Sequence, residues 1–209
     1  MNSPQDRFRR KLANAYGKVA RQVGQKYSVY RPVTMQNILD TANKIGDVFC
    51  SFTLDEGYGN VQTEAYQQYK AHCDWNKVQE GDVLHDGVET FVITWNRAAD
   101  MAMAIKADYL VEIWRPDWST ADGLQPSPVR WARNVPASFT SLGSTSDSTI
   151  PRVGQSTQEA TWEVRIWTTA DQIQSSDVVV RAATLQLTPT NIKNNKQCQI
   201  LTCVSSNTL

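Results

Sequence analysis

Phe8, Leu12, Ala15, Tyr16, Val19 and Val23 recur at intervals of three and four. That is the spacing of one helix face, with most of the arginines and lysines on other faces. Ser3-Pro4 supplies a capping hydroxyl and a proline suited to the first helical position, and Gly24 supplies a stop. A helix is therefore predicted over residues 4–23. The pattern then changes period. KYSVYRP (26–32) alternates and ends at Pro32, which favours extended chain. TMQNILDTANKIG (34–46) permits either a short helix or a packed loop. Strands are expected in DVFCSFTL, AYQQYKAHC, DVLHDG, ETFVITW, MAMAIKA and YLVEIWRP, with DEGYGN a turn or loop and Asp86-Gly87 a hairpin turn. Closely spaced antiparallel strands of this kind imply a small barrel or sandwich.

The pattern also repeats. Val78-Gln79-Glu80-Gly81-Asp82-Val83-Leu84 lines up with Ile173-Gln174-Ser175-Ser176-Asp177-Val178-Val179. After a turn one residue shorter, Thr90–Thr94 lines up with Thr184–Thr188; YKAHC falls opposite VRIWT, and MAMAIKA near KQCQILT. Shared alternation over this length specifies strand order and register. The second copy lacks the Asp-Gly turn and carries Pro189 where a strand would run on.

From Pro116 to Ala160 the chain is rich in Pro, Ser, Thr and Gly, and its apolar residues lack a period. Such a stretch buries too little surface alone to offset its ordering entropy. It is expected to be an extended arm, with Trp118, Trp131 and Phe139 as candidate anchors on a partner. The expected fold is mainly β with an amino-terminal helix: two small antiparallel barrel or sandwich modules joined by that arm. The expected divisions are 1–33 (basic helix and extended segment), 34–115 (first β-module), 116–160 (arm) and 161–209 (second module, able to share a sheet with the first).

At 209 residues the chain can bury roughly 70% of its unfolded surface without staples. Its net charge is zero but unevenly placed. Up to residue 31, eight basic residues stand against Asp6 alone, which leaves +7 there and −7 in the remainder. Arg7, Arg9, Arg10, Lys11, Lys18 and Arg21 on the helix are thus candidates to meet an acidic partner or DNA, as well as being an ordinary solvated face. MNSPQDRFRRKLANAY lacks the apolar stretch of a secretory leader, and no run approaches the roughly 20 apolar residues of a membrane helix.

Little in the chain points to a reaction. Cys50, Cys73, Cys198 and Cys203 show no CxxC spacing, so free buried thiols of a reducing compartment are expected rather than a zinc site. His72-Cys73-Asp74 is compact, but adjacent strand residues point to opposite faces. His85 sits beside a hairpin turn, and Asp82, Asp86 and Glu89 are accounted for by turn chemistry. No nucleophile elbow, phosphate loop, dinucleotide fingerprint or HExxH occurs. Trp75, Trp95, Trp114, Trp162 and Trp167 fall in or beside strands as core or inter-module contacts. No catalytic residue, metal or cofactor is assigned.

FRRKLANAYGKVARQVGQKYSVYRP, ANKIG, YGN and VQEGDVLHDGVETFVITW together resemble a group of virion proteins of tailed bacteriophages. In that group a basic helix leads into a YSVYRP-like segment and β-modules with a Gly-Asp-apolar-apolar turn. The resemblance covers residues 7 to about 95, and more loosely WEVRIW…SSDVVV. It implies a non-enzymatic structural role at the head–tail neck or in the tail. The chain would form a homo-oligomeric ring through arm and β-edge contacts, beside portal, tube or hub proteins and passing DNA. It would be assembled in the bacterial cytoplasm and reside in the virion. Two other readings are a virion-borne host-surface or carbohydrate-binding module using the exposed aromatics, and a DNA-packaging protein with salt-dependent affinity.

Overall fold

The structure, a computed structural model, describes residues 4–54, 68–95, 102–118, 126–144, 160–167, 172–181, 185–194 and 198–205. The chain divides into two units between Asp108 and Tyr109. In the first, helix α1 (Pro4–Val23) precedes strands β1 (Gln25–Tyr30), β2 (Lys44–Leu54), β3 (Gln68–Cys73), β4 (Val83–His85), β5 (Thr90–Trp95) and β6 (Ala102–Ala107). The second contains β7 (Tyr109–Asp117), β8 (Ser127–Ser144), β9 (Ala160–Ile166), β10 (Val178–Arg181), β11 (Leu185–Asn194) and β12 (Gln199–Ser205). Each set closes into an antiparallel barrel, in the orders β1-β2-β3-β6-β5-β4 and β7-β8-β9-β12-β11-β10. The two orders are the same topology, so the repeat seen in the sequence is a repeat of a whole fold.

The helix has the expected bounds, although Ser3 lies outside the described residues. Its barrel-facing side is built from small residues. Ala13 and Ala20 are buried, Leu12 and Tyr16 pack against the barrel core, and the Tyr16 ring lies 5.3 Å from Trp75 and 5.9 Å from His72. A Cβ on Gly17 would stand 2.8 Å from the Asp74 Cβ; one on Gly24 would stand 2.5 Å from the Ala20 carbonyl oxygen and 2.7 Å from that of Cys50. Glycine is needed here because backbone approaches backbone. Gly24→Ala is accordingly expected to loosen α1 from β2, at about 1–3 kcal/mol as an overpacking substitution. Thiol labelling would check this: Cys50 and Cys73, buried beneath the helix in the native chain, should become reactive in the variant.

Segment 34–46 is chiefly a packed loop. Arg31 N–H donates to the Asn43 carbonyl at its neck, and a short 3-10 turn (Thr41–Asn43) is capped by Asp40. Met35 and Ile38 are fully buried. The Asp86-Gly87 hairpin forms as expected: Gly87 has φ +105°, and the Asp86 carboxylate accepts from the Val88 and Glu89 amides at 2.8 and 2.7 Å.

Segment 116–160 departs from expectation. Rather than tethering two modules, its residues 127–144 form β8, the longest of the described strands, paired with β7 on one side and β9 on the other. Ala132, Val135 and Ala137 on it are fully buried. Its small and polar composition hid a strand because the lumen there takes alanine, and ladder bonds satisfy the backbone whatever the side chains. The boundary expected at 115/116 falls seven residues earlier, and the two modules have separate sheets. Residues 119–125 and 145–159 of the expected arm lie outside the described residues.

Register corrects the sequence alignment of the repeat. Leu84 pairs with Phe91, and its counterpart Val179 pairs with Leu187. Phe91 therefore answers to Leu187, not Leu185, and the second hairpin is one residue longer, not shorter. Tyr69 likewise answers to Trp162, since they pair with Ala104 and Cys203, which are themselves equivalent. A slip of two residues keeps every side chain on its own face, so alternation alone could not detect it. With the corrected register, Cys50-Ser51-Phe52-Thr53 matches Ala137-Ser138-Phe139-Thr140, through the pairs Cys50–Cys73 and Ala137–Ile166. Even the irregularity recurs: β5 bulges at Thr94 and β11 at Thr190, whose hydroxyls donate to the carbonyls of Met103 and Thr202 at 3.4 and 3.0 Å.

Candidate functional site

Among the described residues one bidentate, buried polar geometry occurs twice. Arg31, just beyond β1, grips the Asp82 carboxylate through Nε and Nη2, both at 2.8 Å, and Asp82 also accepts from the Gln79 amide at 2.8 Å. In the second barrel Arg115 grips Asp177 at 2.7 and 2.8 Å, and Asp177 accepts from the Gln174 amide at 2.8 Å. Both aspartate side chains are fully buried, while Arg31 and Arg115 remain 38% and 25% exposed. The register makes them one feature: Tyr30 pairs with Val83 and Trp114 with Val178, so each Arg-Pro dipeptide emerges opposite its aspartate. A planar guanidinium fork on a carboxylate is the strong, orientation-fixing form of ion pair. It locks the seam where the first strand of each barrel meets the fourth. Sequence reading recognised the aspartates as a repeated feature but missed the arginines. The signal was present in Tyr30-Arg31-Pro32 and Trp114-Arg115-Pro116.

The expected anchors are placed differently from one another. Trp118 is exposed at 69%. Trp131 is half-buried beneath the Arg115 guanidinium, 3.9 Å from its ring centre, so the clasp already occupies one face of that indole. Phe139 sits in an aromatic group with Tyr109 and Trp162, at 5.4 and 6.4 Å, with Arg181 above Tyr109 at 3.4 Å. It is the counterpart of Phe52, which stacks on Phe91 at 3.7 Å. Phe139 is thus a barrel residue of the repeat and not an arm residue. The indole N–H of Trp162 is buried and lacks a hydrogen-bond partner.

On α1, Arg7, Arg10, Lys11, Lys18 and Arg21 are exposed; the Arg9 side chain lies outside the described residues. Beside this basic face runs a second exposed stripe: Phe8 at 66%, Val19 at 53% and Val23 at 71% exposure, with Ala15 between them. The helix therefore has three faces, one docked, one basic and one apolar and open.

The titratable residues serve local structure. His72 Nε2 lies 2.8 Å from the Thr53 hydroxyl under the Tyr16 ring, and burial followed by the Lys70 charge lowers its pKa. His85 Nδ1 meets the Glu89 carbonyl and Thr90 hydroxyl at 3.1 and 2.9 Å. Asp47 lies between Lys26 and Lys44, which hold its carboxyl well below the usual range. All four cysteines are buried thiols, none of them in a disulfide. Cys50 and Cys73 are register partners, and the Cys73 thiol beside it, followed by burial, raises the Cys50 pKa; burial alone pushes Cys203 up to about 12. Among the described residues no group of three or more His, Cys, Asp or Glu is placed to hold a metal ion, and no described helix is long and apolar enough to cross a membrane.

On the outside of the second barrel a cavity of about 440 Å³ is lined mainly by Trp114, Pro116, Pro128, Val178 and Val180. Glu112 stands at it, paired with Arg130 at 3.0 Å and accepting from the Trp114 indole at 3.1 Å. The cavity is formed by outward-facing residues of β7 and β10, an arrangement suited to taking up apolar side chains. Comparison with known proteins finds no match to any protein family, curated protein or solved structure.

Proposed function

We propose that the chain is a non-enzymatic structural component of a tailed-phage virion, a ring-forming neck or tail protein. The observation that carries this reading is the pairing of two adhesive surfaces of opposite shape on one chain. The helix of the first unit presents an open apolar stripe beside a basic face, and the second barrel presents an apolar groove. Surfaces that differ in this way form heterologous contacts, the kind that closes rings. The resemblance of residues 7 to about 95 to virion proteins agrees with it. The expected means of assembly is revised. Closure pairs the strands of each barrel into a ring and leaves for β-augmentation only the overhangs of long strands such as β8, and the expected arm is in part a barrel strand, so side-chain surfaces take over most of that role.

The test is recovery of the tagged chain from a producing host. Co-purification with a portal or tail-tube protein, and presence in particles in ring-like copy number, is the expected result. Particles that mature normally without the chain would sink the proposal. Binding to host-envelope polysaccharide that is lost in Trp118→Ala would favour the carbohydrate reading instead.

A further inference from the structure

We propose that Cys50 and Cys73 are the two halves of a cross-strand disulfide, a reversible staple between β2 and β3 that closes when the chain meets an oxidant. The two residues are direct register partners on adjacent antiparallel strands, and both are buried in the core of the first barrel. Opposed residues of such a pair have Cα atoms about 4.5–5.5 Å apart, inside the range of roughly 4.4–6.8 Å that a disulfide accepts. Their Cβ atoms stand about 4.5–5.5 Å apart, against about 3.5–4.5 Å across the bond, so closure draws the strands together by about 1 Å. The Cys73 thiol already lies beside that of Cys50.

The repeat supplies a comparison. The equivalent pair in the second barrel is Ala137–Ile166, so the fold fills this position without sulfur. Cys203 stands opposite Trp162 and Pro189 and has no thiol across the ladder. Among the described pairings, Cys50–Cys73 alone sets thiol against thiol.

The chemistry is thiol–disulfide exchange. One cysteine, as thiolate, attacks a small disulfide such as oxidised glutathione, giving a mixed disulfide and releasing one glutathione. The other cysteine attacks the mixed disulfide, the second glutathione leaves, and the Cys50–Cys73 bond forms. Two protein S–H bonds are lost and two glutathione S–H bonds are gained, so the protein is oxidised and the small disulfide reduced. Helix α1 guards this step. A Cβ on Gly24 would stand 2.7 Å from the Cys50 carbonyl oxygen, and one on Gly17 2.8 Å from the Cβ of Asp74, the residue after Cys73. Burial slows the first attack and shields the bond once it is made. The staple closes a loop of about 20 residues, enough to stabilise the barrel by restricting its unfolded chain. The equivalent pair of the second barrel holds no sulfur, so oxidation acts on the first unit alone. The assignment goes beyond the assembly reading and does not depend on it.

The test exposes the full chain, purified under reductant, to oxidised glutathione and maps its peptides without reduction. The expected product is a Cys50–Cys73 linked peptide and an intact mass lowered by two hydrogens. The melting transition of the first barrel should rise by roughly 10 °C and fall back on adding dithiothreitol, with hydrogen exchange of residues 109–209 unchanged. Cys50→Ala with Cys73→Ile copies the second barrel's pair and should show no such rise; the peptide map of the wild type decides even where this variant does not fold. If the wild type resists, Gly24→Ala, with α1 loosened, is treated in the same way, and a Cys50–Cys73 link in either chain upholds the assignment. Thiols that stay reduced in both chains, or that each carry a glutathione, overturn it. So does a bond from either residue to Cys198 or Cys203, or a link that leaves the melting of the first barrel unmoved.

Discussion

Asp177→Ala is expected to destabilise the second barrel by about 3–5 kcal/mol, the usual cost of removing one member of a buried ion pair. The carboxylate is fully buried and accepts from both arms of Arg115 and from the Gln174 amide. Without it the amide loses its partner, and the guanidinium loses its bidentate carboxylate while keeping the Gln172 carbonyl at 3.1 Å and the Trp131 ring. Asp82→Ala acts on the first barrel in the same way but less strongly, because Arg31 at 38% exposure is better able to return to water than Arg115 at 25%. Asn at either position keeps an acceptor for the backbone amide and should cost less than Ala. Hydrogen exchange read peptide by peptide locates each loss. Lost protection in β7–β12 for Asp177→Ala, and in β1–β6 for Asp82→Ala, is the expected outcome. A change below about 1 kcal/mol in both would mean the clasps are no better than surface pairs.

Deleting residues 127–144 should abolish the second barrel altogether. Strand β8 holds β7 and β9 on its two sides, so its loss opens the ring and exposes two edges along with the lumen residues Val111, Ile113, Val164 and Ile166. Open apolar edges promote aggregation, and the expected product is insoluble or, if soluble, unprotected throughout 109–209. The reading of 116–160 as a free arm expects the opposite: a folded chain deficient only in assembly. Circular dichroism and solubility of the deletion separate the two at once.

How far the residues announced this structure depends on which physical signal each element relied on. Helix α1 was legible because its caps and its spacing agree, and most of the strands from β1 to β7 because apolar alternation is strong from Tyr27 to Ile113. The repeat was legible in kind and wrong in register by an even number, which alternation cannot see. Strand β8 was hidden by composition: Ser127, Pro128, Arg130 and Arg133 read as loop, and Ala132 and Ala137 carry little apolar signal although both are fully buried. The Arg–Asp clasps were hidden by distance, since partners 51 and 62 residues apart meet only when the barrel closes. The groove follows from the same closure, and its Trp114, Pro116 and Pro128 were read as core and arm residues.

Two barrels of one topology on a single polypeptide create a hazard during synthesis. Strands of the first half can be mistaken for those of the second, and a hybrid ring would be a deep kinetic trap. The differences between the halves oppose that error. The interior pair Cys50–Cys73 is replaced by Ala137–Ile166, and the fourth-to-fifth strand hairpins differ in length by one residue. An interchanged strand therefore brings the wrong volume into the lumen and reaches its partner out of step. Divergence between the copies keeps each half faithful to itself.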